Sequence, residues 1–249
     1  MWTTRDVTLL LWAGVTAWLA SLVLPVTPTV TSDLFFKVSN PVFPDLTLCK
    51  LETWPLSAKL PCATQCQRTS QCSMFCLSGG QCDMYSARVG RNWVGEGNPL
   101  AGVCYSSWGS GLMSSASIAA SVDYSEHYKG ANAIDGFYCS GLSNCYCSQG
   151  LTKTYLAISL GDHRRVVAVK VQTTSGYFRG VEVRVGNFSD PEDGFSANVL
   201  LRKLTEVVPS STVITLHLPA PVVASVVSFL QETESTYHLC ICDVQVYVE

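Results

Sequence analysis

Charge is scarce in this sequence. Only 14% of its 249 residues are charged, and the formal net charge is −3 at pH 7. Proteins that bind nucleic acids concentrate Lys and Arg on one face or stripe, whereas the basic residues here are scattered along the chain. The composition therefore excludes nucleic acid as the expected partner.

Motifs of the common enzyme classes are also missing. The sequence contains no Gly-x-Ser-x-Gly elbow, no His-Glu-x-x-His zinc helix and no glycine-rich phosphate loop. Of the four histidines, His217 lies in an alternating strand pattern, His163 lies in a turn, and His127 and His238 flank predicted strands. Their spacing supports no catalytic triad, and we predict that the protein is not an enzyme.

Cysteine, by contrast, is abundant. The chain has twelve cysteines, an even number that suits six disulfides in a protein of an oxidising compartment. Residues 1–29 carry Arg5, an apolar run from Val7 to Leu24, and Pro25, which together predict a secretory signal peptide. The alternative is an uncleaved membrane anchor. We expect a secreted, extracellular protein that meets a membrane only if this segment is uncleaved.

The cysteines form two groups. Seven lie between Cys49 and Cys104 and five between Cys139 and Cys242, and a Gly/Ser-rich stretch at 106–114 lies between the groups. Such a composition is typical of a linker, which predicts one domain at 31–105 and another at 115–249. Because both groups contain an odd number of cysteines, one bridge is expected to cross the boundary between the domains, for example Cys104 to Cys139.

The first predicted domain combines a helix with a hairpin. Residues 57–70 have the pattern of a short helix, with Cys62 and Cys66 one turn apart on one face. Two short strands follow, at 72–76 and 82–85, and the Gly79-Gly80 turn joins them.

A helix pinned by two cysteines onto a hairpin resembles the PAN/apple module. The resemblance implies two disulfides and one buried ring: Cys62–Cys82, Cys66–Cys72 and Phe75. Cys76 departs from the family's pattern, and both Cys49 and Cys104 remain candidate partners. A domain of about 75 residues buries little core, so bridges worth roughly 2–4 kcal/mol each are expected to supply much of its stability.

The second predicted domain is rich in strands. Short runs of β-branched and alternating apolar residues occur between turn signals and show no helical period; they lie at 155–160, 166–171, 181–185, 212–218, 222–230 and 239–248. A Gly161-Asp162 turn separates the first two runs. The pattern predicts a mainly β protein with a C-terminal antiparallel β-sandwich or jelly roll.

Several short motifs occur in the order found in one family of sandwiches. They are Ala133-Ile134-Asp135-Gly136, the strand 180–187, the strand 213–222, and the closing strand that contains Cys242-Asp243-Val244. Together they resemble the discoidin-type (coagulation-factor type C) β-sandwich and, within it, the F-type fucose-binding lectins. The resemblance implies a binding module that holds its ligand with loops at one end.

The same resemblance implies a calcium site. Matched residue by residue, it gives Asp135 as the loop acid, Asn132 as a ligand through its carbonyl, and Asp243 as the acid after the C-terminal cysteine; hard cations prefer such oxygen ligands. The alternative is that Asp135 caps a turn and Asp243 is a surface acid at a strand end. The loops would be joined by one bridge between two cysteine pairs, Cys145 or Cys147 with Cys240 or Cys242.

The sugar-binding residues of the F-type lectins are not recovered. The position two after Cys145 is Cys147 rather than His, and the loop 173–179 lacks Arg-x-Asp. That loop instead offers Tyr177, Phe178 and Arg179, which we predict to be a recognition cluster because exposed aromatics with Arg anchor ligands well. The alternative is that one of the aromatic rings covers the end of the sandwich.

One N-glycosylation sequon is present, Asn187-Phe188-Ser189. It lies where a predicted strand leaves the sandwich, and in a secreted protein we expect Asn187 to be modified.

The sequence thus predicts a secreted, non-catalytic recognition protein. Its expected partners are glycans or cell-surface and matrix proteins, bound by loops at one end of the sandwich with assistance from calcium. The alternative is a structural or adhesive module, secreted or membrane-tethered, that contacts proteins and binds no sugar.

Overall fold

The computed structural model describes residues 35–249 except 92, 109–115, 140–143, 175–177, 194, 207 and 210–211, with the side chains of 234–236 also left out. The predicted signal segment at 1–29 lies outside this range. Contacts place residues 31–249 in one compact unit. Within the described part of the chain, no helix has the length and apolar character that a membrane crossing requires.

The N-terminal part is a small α+β arrangement. Its elements are β1 (Phe36–Lys37), β2 (Val42–Phe43), β3 (Lys50–Trp54), α1 (Lys59–Arg68), β4 (Met74–Ser78), β5 (Gln81–Tyr85), β6 (Arg88–Val89), β7 (Asn98–Pro99) and β8 (Val103–Ser106). Five of the strands form an antiparallel sheet in the order β1-β8-β4-β5-β3. The β4–β5 hairpin turns at Gly79 and Gly80, whose φ angles of 56° and 80° favour glycine.

Disulfides hold this part together. The structure pairs Cys62 with Cys82 and Cys66 with Cys72, as the PAN resemblance implies, and it buries Phe75 completely against α1. Cys76 pairs with Cys104, because the two residues are directly opposite each other on β4 and β8, with Cα atoms 4.0 Å apart. The suggested Cys104–Cys139 bridge is therefore wrong. The bridge that links the two cysteine groups is Cys49–Cys139.

The C-terminal part consists of strands. They are β9 (Ser117–Ala120), β10 (Phe137–Tyr138), β11 (Tyr146–Cys147), β12 (Leu151–Thr173), β13 (Val181–Gly186), β14 (Val199–Leu204), β15 (Val213–Tyr237) and β16 (Cys240–Val248). A 3₁₀ turn covers Gly130–Ala133. The strand order is β11-β16-β12-β15-β13-β14, and β9 pairs with β12 outside this path.

Two long strands replace four of the predicted short ones. β12 has 23 residues and β15 has 25, and they pair with each other along almost their whole length. The predicted turn at Gly161-Asp162 is an irregularity inside β12, where the register shifts between Ser159 and Arg164. Continuous pairing with β15 overrides the local turn signal, and Gly161, with φ of 81°, supplies the conformation that the irregularity needs.

The ribbon of β12 and β15 belongs to both layers of the sandwich. Its first half joins β9 and β13, whereas the second half of β12 joins β16. Side chains of both halves fall in one buried cluster, for example Leu156 and Ile158 from the first half with Val169 and Val171 from the second. The sheet therefore folds over a single core, which confirms the predicted antiparallel sandwich.

The N-terminal part and the sandwich are joined by more than a linker. β6 pairs with β10, and Phe137 of β10 packs among Phe43 and Trp93 in a shared core. The stretch 106–114 was predicted to be a linker; among its described residues, Ser106 is buried in β8, Trp108 is buried, and Ser107 is exposed. The rest of that stretch lies outside the described residues.

The bridge between the two parts gives a test of their coupling. We expect the C49S/C139S variant to lose about 4–5 kcal/mol of unfolding free energy, because this bridge closes a loop with a sequence separation of 90. The matched C66S/C72S variant removes a bridge with a separation of only 6 and is expected to lose about 2 kcal/mol. Urea denaturation of both variants measures the difference. Equal losses would contradict a coupling role for Cys49–Cys139.

Candidate functional site

Three aromatic side chains cluster on the surface at one end of the sandwich. Tyr124 lies with its ring centroid 5.7 Å from that of Tyr128 and 5.1 Å from that of His238, both in edge-to-face geometry. Tyr124 is 56% exposed, and Tyr128 and His238 are partly exposed. We call Tyr124, Tyr128 and His238 the aromatic patch.

Backbone hydrogen bonds fix the loop that carries the two tyrosines. The Tyr124 N–H donates to the Cys147 carbonyl at 2.8 Å, and the Cys147 N–H donates to the Tyr128 carbonyl at 3.2 Å. The Asn132 side-chain amide donates to the His127 carbonyl at 2.8 Å and to the Cys145 carbonyl at 3.3 Å. Hydrogen bonds therefore connect this loop to β11 and to the residue before it at several positions.

Two neighbouring disulfides fix β11 in turn. Cys145 pairs with Cys242 and Cys147 with Cys240, so that both cysteines of β11's segment are bonded to β16. His238 comes just before β16, and its Nδ1 lies 2.8 Å from the Ser148 carbonyl oxygen. The segments that carry the three rings of the aromatic patch are thus held next to each other by β11, β16 and the two disulfides between Cys145 and Cys242 and between Cys147 and Cys240.

The predicted recognition cluster at 177–179 differs from the structure. Phe178 is fully buried and packs against Phe229, with ring centroids 6.5 Å apart, so its assignment to an exposed cluster is wrong. The core has room for this ring at the end of the sandwich, which is the alternative the sequence left open. Arg179 is exposed, and Tyr177 lies outside the described residues.

The three predicted calcium ligands have other partners. The Asn132 amide donates to two carbonyls, as above, and one Asp135 carboxylate oxygen accepts the Phe137 N–H at 2.7 Å. The Asp243 carboxylate is buried and accepts the indole N–H of Trp108. Asp135 therefore caps a turn, and Asp243 is neither exposed nor at the surface.

Asp243 belongs to a buried polar network between the two parts of the chain. Lys170 lies with its Nζ 3.7 Å from the ring centroid of Trp108, and the Arg88 guanidinium lies 5.1 Å from the same ring. Arg88 also donates to the side-chain carbonyl of Gln172. Arg88 and Trp108 come from the N-terminal part, whereas the other three residues belong to the sandwich.

Burial shifts the pKa of both acids. Loss of solvation raises the pKa of Asp243 to about 7, although the Trp108 hydrogen bond and the nearby Lys170 and Arg88 favour its charged form. Loss of solvation also raises the pKa of Asp135 to about 8, and the negative charges of Asp243 and Glu96 add to that rise. Both acids therefore hold their protons far more tightly than exposed carboxyls do.

These residues do not fit a calcium site as a set. A calcium ion requires several oxygens that converge on one point, whereas Asp243 faces an indole N–H and two cationic side chains. The described ranges contain no group of three or more His, Cys, Asp or Glu side chains placed to hold a metal. Calcium binding stays a prediction, without a ligand set in Asn132, Asp135 and Asp243.

The aromatic patch was not found from the sequence. By sequence pattern His238 only flanks a predicted strand, and Tyr124 and Tyr128 belong to no motif. The available signal was the position of two tyrosines in a turn-rich loop between the Gly/Ser-rich stretch and Cys145. Their proximity to His238 depends on the pairing of β11 with β16, which no local pattern shows.

Comparisons with known proteins give a fold likeness only. No family model and no curated protein matches the chain. The chain is similar to a fucolectin from the serum of striped bass, Morone saxatilis (TM-score 0.48, 16% identity), over 69% of this chain and 58% of that one. It thus spans less than two thirds of that fucolectin's length.

Two further solved structures are similar over about half of this chain. One is the lectin domain of lectinolysin complexed with Lewis B antigen (TM-score 0.44, 12% identity, 56% of this chain and 96% of that one). The other is the family 32 carbohydrate-binding module from C. perfringens NanJ in complex with galactose (TM-score 0.43, 15% identity, 54% and 95%). At these TM-scores the likeness assigns no ligand to this chain.

Asn187 of the sequon lies at the far end of the sandwich from the aromatic patch, beside the irregularity in β12. Asn187 is exposed, its Oδ1 accepts the Ser225 N–H at 3.0 Å, and its Nδ2 lies 3.4 Å from the Val223 carbonyl oxygen. A glycan attached at this position would leave the aromatic patch open.

We expect stability to fall as the pH rises from 5 to 8. Asp135 and Asp243 have raised pKa values in the folded state, about 8 and about 7, so the folded protein binds more protons than the unfolded chain above pH 3.8. Their contribution is complete below that pH and is lost on approaching pH 8. Denaturation at a series of pH values should show a loss on the order of 4–6 kcal/mol between pH 5 and 8.

Asp135→Asn is the control for this titration. The amide oxygen can still accept the Phe137 N–H, but the side chain no longer ionises, so the decline between pH 5 and 8 should become shallower. An unchanged decline in this variant would exclude Asp135 as its source.

We expect protein secreted from eukaryotic cells to carry a glycan on Asn187. Digestion with a peptide N-glycosidase should lower its mass, and Ser189→Ala should abolish the shift because it removes the sequon while keeping the Asn187 hydrogen bonds. An identical mass before and after digestion of the unmodified sequence would refute the assignment.

Proposed function

We propose that this chain is a secreted, non-catalytic recognition protein that binds glycans through the aromatic patch. The observation that carries the proposal is the cluster of exposed Tyr124 with partly exposed Tyr128 and His238. The two tyrosines lie on a loop bonded to β11, His238 lies just before β16, and two disulfides join β16 to β11 and the residue before it. All twelve cysteines are paired, which supports an oxidising, extracellular location.

The chemistry of the patch suits a sugar. A pyranose ring has an apolar face of C–H groups that packs on an aromatic ring, and hydroxyl groups around its edge that need hydrogen-bond partners. Tyrosine offers both an apolar ring and a polar tip, and histidine adds a second polar ring. Tyrosine also loses little conformational entropy on binding because it has few rotatable bonds.

Rigidity supports the same proposal. A loop already held in its binding conformation spends less entropy when the ligand arrives, and affinity gains accordingly. Stitching of the loop to β11 and the Cys145–Cys242 and Cys147–Cys240 bridges supply this order without a ligand.

A second candidate function rests on the N-terminal part. Leu48, Leu60 and Trp54 are large apolar side chains that remain 79%, 56% and 40% exposed there. Such side chains favour a protein contact by a PAN-like module, as in an adhesive protein that binds no sugar. The two functions are compatible, since a second weak site on one chain raises the effective concentration at the first.

Tyr124 can be tested against a matched aromatic. We expect Tyr124→Ala to weaken glycan binding about tenfold, as loss of a central aromatic contact does. Phe188→Ala is the control, because Phe188 is 57% exposed against 56% for Tyr124, lies far from the patch, and keeps the sequon when replaced. A glycan array identifies the ligand, and titration calorimetry with that ligand measures the affinities.

The outcomes separate the two candidate functions. Binding that Tyr124→Ala lowers and Phe188→Ala leaves unchanged supports the glycan site. An array without signal, with the variants folded as judged by thermal melting, contradicts it and favours the adhesive function. Running the array in calcium and in chelator tests the calcium prediction with the same readout.

A further inference from the structure

The outer face of β12, β15 and β16 carries a polar grid of side chains. Cross-strand pairs have side chains on the same side of a sheet, and three rows alternate with the core residues Val169 and Val171. The rows are His217, Ala168 and Tyr247; Thr215, Lys170 and Gln245; and Val213, Gln172 and Asp243.

The N-terminal part covers only one end of this grid. Arg88 and Trp108 lie over the row of Asp243 and Gln172, and both of these sandwich residues are buried. At the other end His217 and Thr215 are exposed, and Lys170 and Tyr247 are half-buried. A groove remains there, lined by Val167, Ala168, Lys170, Thr215, His217 and Tyr247. We call it the Lys170 groove.

The Lys170 groove has more positive than negative charge. None of the ion pairs among the described residues includes Lys170 or Arg88, although both are partly buried. One acid, Asp243, lies near these two cations, and its carboxylate already accepts the indole N–H of Trp108. Burying a charge without a close counter-charge is unfavourable, so an anion in the groove would complete the balance.

The other residues that line the Lys170 groove place neutral polar groups next to Lys170. Thr215 is the cross-strand neighbour of Lys170, and His217 and Tyr247 flank Ala168 in the next row. The Tyr247 hydroxyl donates to the Gln245 side-chain carbonyl at 3.0 Å and can still accept a hydrogen bond. A short apolar floor with a cation and several hydroxyl or ring nitrogen groups suits a sugar that carries one acidic substituent.

We propose that the Lys170 groove is a second binding site, which takes the acidic group of an extracellular oligosaccharide, a sulfate ester or a carboxylate. Lys170 pairs with the anion, and Thr215, His217 and Tyr247 contact the neighbouring hydroxyls. An acidic peptide fits less well, because the lining offers no deep apolar pocket for side chains. The site shares no residue with the aromatic patch.

Titration calorimetry with defined probes tests the proposal. The probes are a sulfated heparin hexasaccharide, an unsulfated hexasaccharide in which uronate alternates with a neutral sugar, a neutral hexasaccharide and a hexa-glutamate peptide. We expect one or both acidic saccharides to bind, with an affinity that falls as salt is added. Lys170→Gln should weaken that binding about tenfold, and Lys170→Arg should restore most of it.

Lys203→Gln is the matched control, because Lys203 lies on the same sandwich but is paired with Glu182 at 3.0 Å. It should leave the affinity unchanged, as should Tyr124→Ala, so that failure here is distinct from failure of the aromatic patch. If Lys170→Gln and Lys203→Gln weakened the affinity for the acidic saccharides equally, the effect would come from the net charge of the protein, and the proposed site would be wrong. Binding of the neutral saccharide as tightly as the acidic ones, or of the peptide alone, would also overturn it.

Discussion

Pairing of β12 with β15 is the constraint on which the rest of the structure depends. The two strands keep their partnership on both sides of one irregularity, so a single ribbon takes part in both layers and encloses one core. The residues of the aromatic patch lie at the end of the ribbon where β12 starts and β15 ends. β12 starts at Leu151, two residues after Gln149, whose N–H donates to the Val122 carbonyl. β15 ends at Tyr237, next to His238. The Lys170 groove lies on the outer face of the ribbon's second half. One strand pair therefore fixes where both candidate surfaces lie.

The polar network at Asp243 makes the two parts of the chain depend on each other. A buried carboxylate is strongly unfavourable unless donors or cations surround it. Two of its partners, Arg88 and Trp108, come from the N-terminal part, while Lys170 comes from the sandwich. The N-terminal part in turn has Phe137 from the sandwich in its own core. Each part therefore needs the other to bury all of its polar and apolar groups. This mutual burial explains why residues 31–249 form one compact unit although the cysteines fall in two groups.

Local patterns were enough to predict the short helix, its hairpin and the runs that fall in β12, β13, β15 and β16, because alternation and turn residues act within a few positions. They did not predict β9 or β14. They failed where distant partners decide. Gly161 is a turn signal by itself, yet the pairing of β12 with β15 carries the strand through it. Phe178 looked like a loop-tip ring, but the space beside Phe229 buries it. Trp108 lies in a Gly/Ser-rich stretch that predicts a linker, and its burial depends on the distant residues Asp243 and Lys170. The aromatic patch joins residues more than a hundred positions apart in the chain, so no window of sequence could contain it.

The surroundings of Asp243 also differ from those of a calcium ligand. A calcium site gathers oxygens around one cation, whereas here an indole N–H, a lysine and an arginine gather around one carboxylate. The positive charge that this acid needs is supplied by the chain itself. The loops at this end are likewise ordered from within, by two disulfides between β11's segment and β16 and by hydrogen bonds of Asn132 to carbonyls. The disulfides and these hydrogen bonds therefore account for the order of the loop that carries Tyr124 and Tyr128.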